Sequence, residues 1–211
     1  MPNCGSSRMY AGMRLRVVAL LLMLVTYLCV PSAALGVAAE DTIQGSRTVL
    51  RAAPGTEFRI GGPVTIQNMT IAANYLVGIE VAPMPPGMPD PAAQNVVHLE
   101  ADVHATSTNP WGFPNGSWIP YLSIVYTISK EGSSWSARGV LSPMTADDGP
   151  HYADSLTLAG PGRYALIYKL IPPQVNGFLR HVDHATGVPD WWTPFEVPFN
   201  FTYPVETASA S

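Results

Sequence analysis

Beyond residue 29 the chain has no cysteine: of 211 residues only Cys4 and Cys29 are cysteines. Downstream of them no disulfide can staple the fold, and no thiolate is on hand as nucleophile or metal ligand. A blue-copper electron-transfer centre, which needs a Cys ligand, is therefore excluded. Charge is scarce too, at 12 % Asp, Glu, Lys and Arg, with a net charge of −4, a pI near 5.6 and no run of Lys or Arg. Nucleic-acid binding needs a basic patch and is disfavoured. HExxH, GxSxG and P-loop motifs are missing, as are internal repeats and helical periodicity of useful length. No apolar run reaches the roughly 20 residues of a spanning helix.

What the chain does have is 18 Gly and 21 Pro, set between short alternating segments. The clearest is Val96-Val97-His98-Leu99-Glu100-Ala101-Asp102-Val103-His104. Apolar Val97, Leu99, Ala101 and Val103 alternate with His98, Glu100, Asp102 and His104, the period-two pattern of a half-buried strand. Its polar face carries two imidazoles and two carboxylates about 6–7 Å apart. Thr, Lys or Ser would be ordinary there, so this face is where a site is sought.

The N-terminus reads as a secretory signal. Arg8, Arg14 and Arg16 precede the apolar run Val17–Val30, and small residues including Ser32, Ala33, Ala38 and Ala39 precede Glu40 and Asp41. The expected division is a signal over 1–39, a loosely ordered segment over 40–56, a domain over 57–203 and a polar tail over 204–211.

Within the domain, Glu57 to Pro63 reads as a short extended piece ending in a turn, and Val64 to Val81 as two strands with turn points at Asn68 and Asn74. Pro83 to Pro91 is a proline loop carrying Met84 and Met88. Further strands are expected over Tyr121–Ile128, then, after a hairpin turn at Glu131-Gly132-Ser133, in a strand that Val140 to Met144 ends, over Arg163–Ile171, and over Phe195–Tyr203, whose alternation is unbroken. Met144 to Tyr152, rich in turn formers, reads as a loop, and Pro172 to Trp192 as a long irregular segment. The count is seven or eight short strands, the pattern of an all-β antiparallel sandwich.

All five histidines lie between residues 98 and 184, in three segments. With a loop Met and an acidic strand face, they suggest a metal centre. Imidazole suits copper, zinc and iron, thioether selects copper, and carboxylate favours harder ions such as ferrous iron or manganese.

Several of these motifs together resemble the bacterial periplasmic iron-transport protein family. They are His98-Leu99-Glu100-Ala101-Asp102-Val103-His104-Ala105, Trp118-Ile119-Pro120-Tyr121-Leu122, Pro143-Met144 with Asp148-Gly149-Pro150-His151-Tyr152, and Arg180-His181 onward to Trp192. The resemblance runs from about Glu57 to Tyr203. It implies an immunoglobulin-like sandwich, usually a homodimer, that supports ferrous-iron uptake, binds copper as well as iron or manganese, and serves an inner-membrane iron permease. By motif it implies His98, Met144, His151 and His181 as copper ligands, Glu100 as an adjacent acidic ligand for a second metal, Glu57 as another acidic contributor, and Met88 as a loop methionine near the site. Two positions depart from the family pattern: Pro83 replaces a frequent acidic residue, and His184 stands where Lys or Ser is commoner, a rival to His181.

The implied function is that of an exported, non-enzymatic metal-binding protein. The alternatives are a copper- or manganese-dependent redox enzyme, a copper-handling chaperone, and a structural β-sandwich with incidental histidines. Cleavage of the signal is expected near Ala38 or Ala39. Intact-mass measurement of the exported protein should give a chain starting at about Glu40, and a chain retaining Met1 or Met13 would contradict this.

Overall fold

The computed structural model describes residues 52–204, so the signal segment, most of the 40–56 segment and most of the polar tail lie outside the described residues. Eight strands follow in order: β1 (Glu57–Ile66), β2 (Met69–Leu76), β3 (Val96–Ala105), β4 (Ser123–Lys130), β5 (Ser136–Ala146), β6 (Gly149–Thr157), β7 (Gly162–Ile171) and β8 (Phe195–Tyr203). A single 3₁₀ turn, Pro173–Asn176, is the one helical element among the described residues, and no helix there is long and apolar enough to cross a membrane.

All pairings are antiparallel, in the spatial order β1-β2-β3-β6-β5-β4-β7-β8. The antiparallel all-β sandwich expected from the strand pattern is thus what forms. β5 joins its two sheets. Its first half, Ser136 to Leu141, pairs with β4, and its second half, Ser142 to Ala146, pairs with β6.

The core follows from the alternation. Val97, Leu99, Ala101 and Val103 of β3 face inward with Ile71, Ala73 and Tyr75 of β2, opposite Ile124, Tyr126 and Ile128 of β4 and Leu166, Tyr168 and Leu170 of β7. Buried tyrosine hydroxyls need partners. Tyr152 donates to the Ile119 carbonyl (2.8 Å), Tyr164 to the Gly160 carbonyl (2.6 Å), and Tyr168 to the main-chain carbonyl of Glu100 (2.8 Å).

Three local expectations change. Glu57 to Ile66 is one strand with register shifts around Gly61, and its Pro63 is tolerated because β1 lies at the end of the strand order. Asn68 does turn the chain: Gln67 and Asn68 have φ of 49° and 56°, a two-residue hairpin turn with both central residues left-handed. Asn74, by contrast, sits buried within β2, where its side-chain amide donates to Asp102 Oδ2 at 3.0 Å. Met144 to Tyr152 is no loop but the β5–β6 hairpin, turned at Asp147 and Asp148, which pairs Met144 with His151. Its prolines lie near the end of the ladder, where few strand bonds are at stake.

Candidate metal centre

The polar face of β3 is the outer face of the first sheet, and register determines what it meets. Residues directly opposite in an antiparallel pair point the same way. His98 is opposite Ser155 of β6 and Leu76 of β2, and Glu100 is opposite Ala153 and Asn74. The next outward residue of β6 is His151, which faces Met144 of β5. His98, Glu100, His151 and Met144 are thereby gathered around the small side chain of Ala153.

This outer face is not an ordinary wet one. His98 is 2 % exposed and His151 7 %, with Asn74 and Ser155 buried beside them. The imidazoles stand edge to face, 88° apart in plane with ring centres 6.3 Å apart. Glu100 Oε1 lies between them, 3.7 Å from His98 Nε2 and 3.4 Å from His151 Nε2. One ligating atom from each of His98, Glu100 and His151 lies within 4.8 Å of the other two. His98 Nδ1 is 3.0 Å from Ser155 Oγ, which leaves Nε2 facing the cluster, while His151 Nε2 is buried with no hydrogen-bond partner.

A buried polar atom without a partner costs about 1–3 kcal/mol. Two imidazole nitrogens and a carboxylate oxygen converging on one point, with a thioether next to them in register, make a donor set that fits a transition metal.

Burial sets the electrostatics. Desolvation raises the Glu100 carboxyl from 4.5 to about 8, helped by the charges of Asp102, Glu57 and Asp148. Desolvation, then the His151 charge, lowers His98 from 6.5 to about 4. Desolvation also raises Asp102, against the opposing pull of His104 and His151. In the free protein at neutral pH, Glu100 holds a proton that a bound cation would displace, and His98 is neutral and ready to donate.

The other expected residues lie further out. Glu57 is exposed on β1, two strands from His98 through Leu76, which is about 10 Å at the usual strand spacing, and its charge still reaches Glu100. Met88 lies in the proline loop and lines a cavity of about 450 Å³ together with Ser155, the serine that pairs with His98. His104 ends the row, bridged to Trp118 and outside the cluster. His181 is not part of the cluster either; it sits on the surface loop before β8 with its side chain 75 % exposed. The sequence offers no reason to single out Ser155, reads Asn74 only as a turn point, and places Asp148 only within a motif. A hydroxyl, an amide or a turn carboxylate carries no signal until register places it beside an imidazole.

Comparison with known proteins agrees with this chemistry. The sequence model described as Fe2+ transport protein matches residues 55–204. A UPF0423 protein of Brucella abortus strain 2308 is 42 % identical over 154 residues, covering 72 % of this chain and 84 % of its own. Among solved structures, a copper-bound glutamate-to-glutamine variant of FetP from uropathogenic Escherichia coli strain F11 is 43 % identical with a TM-score of 0.67, covering 71 % of this chain and 98 % of that one. FetP has also been obtained by expression in the periplasm of E. coli. Copper-reconstituted P19 of Campylobacter jejuni is 41 % identical with a TM-score of 0.66, again covering 71 % of this chain and 98 % of that one. The family model is thus described by Fe2+ transport, and the FetP variant and P19 by the copper they hold.

A raised carboxyl pKa has a stability consequence. Between the unfolded value of 4.5 and the folded value of about 8, the folded protein holds a proton that the unfolded chain releases. Glu100 therefore favours folding fully only below about 4.5, and that contribution is lost as pH rises through about 8. Glu100→Gln removes the linkage. In metal-free protein, the melting temperature of the variant relative to wild type should rise steadily from pH 5 to pH 8. A constant difference would show that Glu100 titrates normally.

Proposed function

Because the chain belongs to the Fe2+ transport protein family, we propose that it is an exported carrier of ferrous iron that binds copper at a His/Met site and passes iron to an inner-membrane permease. The observation that carries this reading is the convergence of His98, Glu100 and His151 within 4.8 Å, with a buried His151 nitrogen left for a ligand. Copper is held by His98, Met144 and His151. Imidazole and thioether donors favour it over other divalent ions, and thioether favours its reduced form. The copper-bound relatives support this assignment.

Iron or manganese is bound at the acidic side of the same face, by Glu100 with Glu57. Harder ions prefer carboxylate. The carboxylates of Asp102 and Asp148 add negative potential there.

His181 completes the copper site from a second copy of the chain. Two observations support a homodimer. His181 stands outside its own cluster yet is exposed, and its loop carries exposed Leu179 (88 %) and Val182 (76 %). Exposed aliphatic side chains flanking a potential ligand suit a surface that is covered in an assembly. Among the described residues nothing holds the ring of His184, whereas that of His181 is hydrogen bonded, which favours His181 as the donor.

Anaerobic titrations test the assignment. His151→Ala should abolish tight copper binding, while His184→Ala should leave it largely intact. Glu100→Gln should weaken iron or manganese binding and iron-limited growth with copper affinity nearly unchanged. Equal losses for both metals would refute separate sites, and copper binding that survives His151→Ala would refute the copper site.

A further inference from the structure

The loop that carries His181 is built around one carboxylate. Asp183 Oδ1 accepts the amides of Ala185 and Thr186, both at 2.9 Å. The Asp183 carbonyl accepts the Gly187 amide at 2.9 Å, and the His181 carbonyl accepts the Val188 amide at 3.0 Å. Arg180 anchors the preceding residue by donating to the Val188 carbonyl at 2.9 Å and to Asp190 Oδ1. An exposed histidine side chain on a surface loop would ordinarily sample many orientations. Here the backbone that bears it is closed on itself.

The side chains then determine which ring nitrogen is free. Thr186 Oγ1 lies 2.8 Å from Asp183 Oδ2 and 2.7 Å from His181 Nδ1. A carboxylate only accepts, and a threonine hydroxyl has one hydrogen. That hydrogen goes to Asp183, so Thr186 must accept from His181, and Nδ1 must carry the proton. In the neutral ring the lone pair is then on Nε2, the nitrogen that Thr186 does not engage. A freely solvated histidine side chain prefers the opposite arrangement, with the proton on the ε nitrogen.

We infer that Thr186, oriented by Asp183, is a positioning residue that holds His181 in the tautomer whose Nε2 can donate to a metal. Ligating histidines generally give their second N–H to an oxygen that fixes ring and tautomer, and losing that oxygen costs about 10–100-fold in affinity. The inference rests on the reading of His181 as a copper donor, and the experiment separates the two.

Nitrogen-15 NMR of the metal-free full chain, at a pH about two units above the ordinary histidine value of about 6.5, reads the tautomer of His181 directly. Copper(I) titration of the same samples reads affinity. Wild type and Thr186→Ser should show protonated Nδ1. Thr186→Val, which keeps the branched shape without the hydroxyl, should move the proton toward Nε2 and lower copper affinity about tenfold. An unchanged tautomer in Thr186→Val, or an unchanged affinity despite a shifted tautomer, would overturn the inference. If His181→Ala leaves copper affinity intact, the ligand reading itself fails, and this inference with it. If His181→Ala weakens copper while Thr186→Val behaves as wild type, only the positioning role is lost.

Discussion

The site depends on the register between β3 and β6. His98 opposite Ser155 and Glu100 opposite Ala153 bring the two strands together so that His151, two residues further along β6, turns its Nε2 toward Glu100. A shift of one residue would send every outward side chain of β3 into the core and every core side chain out. The apolar set Val97, Leu99, Ala101 and Val103, all at most 2 % exposed, prevents that shift. The hydrophobic core therefore sets the position of each ligating atom, although none of its residues carries metal chemistry.

Register also decides what the arrangement costs. Two imidazoles and a carboxyl are withdrawn from water on a sheet face, and the displaced pKa values of His98 and Glu100 record the penalty. Ser155 and Asn74 offset part of it by hydrogen bonding His98 and Asp102. The rest stands uncompensated in the free protein, in a proton kept on Glu100 and an unpartnered nitrogen on His151. A cation that accepts the imidazole nitrogens would relieve the second, and one that displaces the proton the first. From the opposite sheet, Tyr168 reaches through the core to the Glu100 carbonyl, so the carboxylate-bearing residue is fixed from both sides of the sandwich. The expected iron and copper donors thus stand on rigid strands, and the one donor on a loop, His181, is held by a closed loop of its own.

Much of this is legible in the sequence, for physical reasons. Strict alternation in β3 and β8 names strand, inner face and outer face together, because period two admits no other structure. Asn68 announces its turn because it tolerates left-handed backbone. The β5–β6 hairpin was not legible. Pro143, Asp147, Asp148, Gly149 and Pro150 are all turn formers, yet only Asp147 and Asp148 turn while the others sit in paired strands. Asn74 misleads in the same way, since its amide serves Asp102 and not a turn. The family resemblance pointed to Met144 and His151 without the hairpin that makes them neighbours. The burial of His98 was not legible either, because alternation predicts an exposed outer face and only the assembled sheet shows it to be dry. Ser155 lacks any sequence signal, being significant only through the residue opposite.

The central claim is that the two imidazoles of this buried face donate their ε nitrogens to one metal ion. Diffraction from copper-loaded crystals, measured on both sides of the copper absorption edge, tests it most directly. The account predicts a single strong anomalous peak within bonding distance of Nε2 of both His98 and His151, close to Met144 and bordered by Glu100. A peak at His104 or His184 with none between His98 and His151 would contradict it.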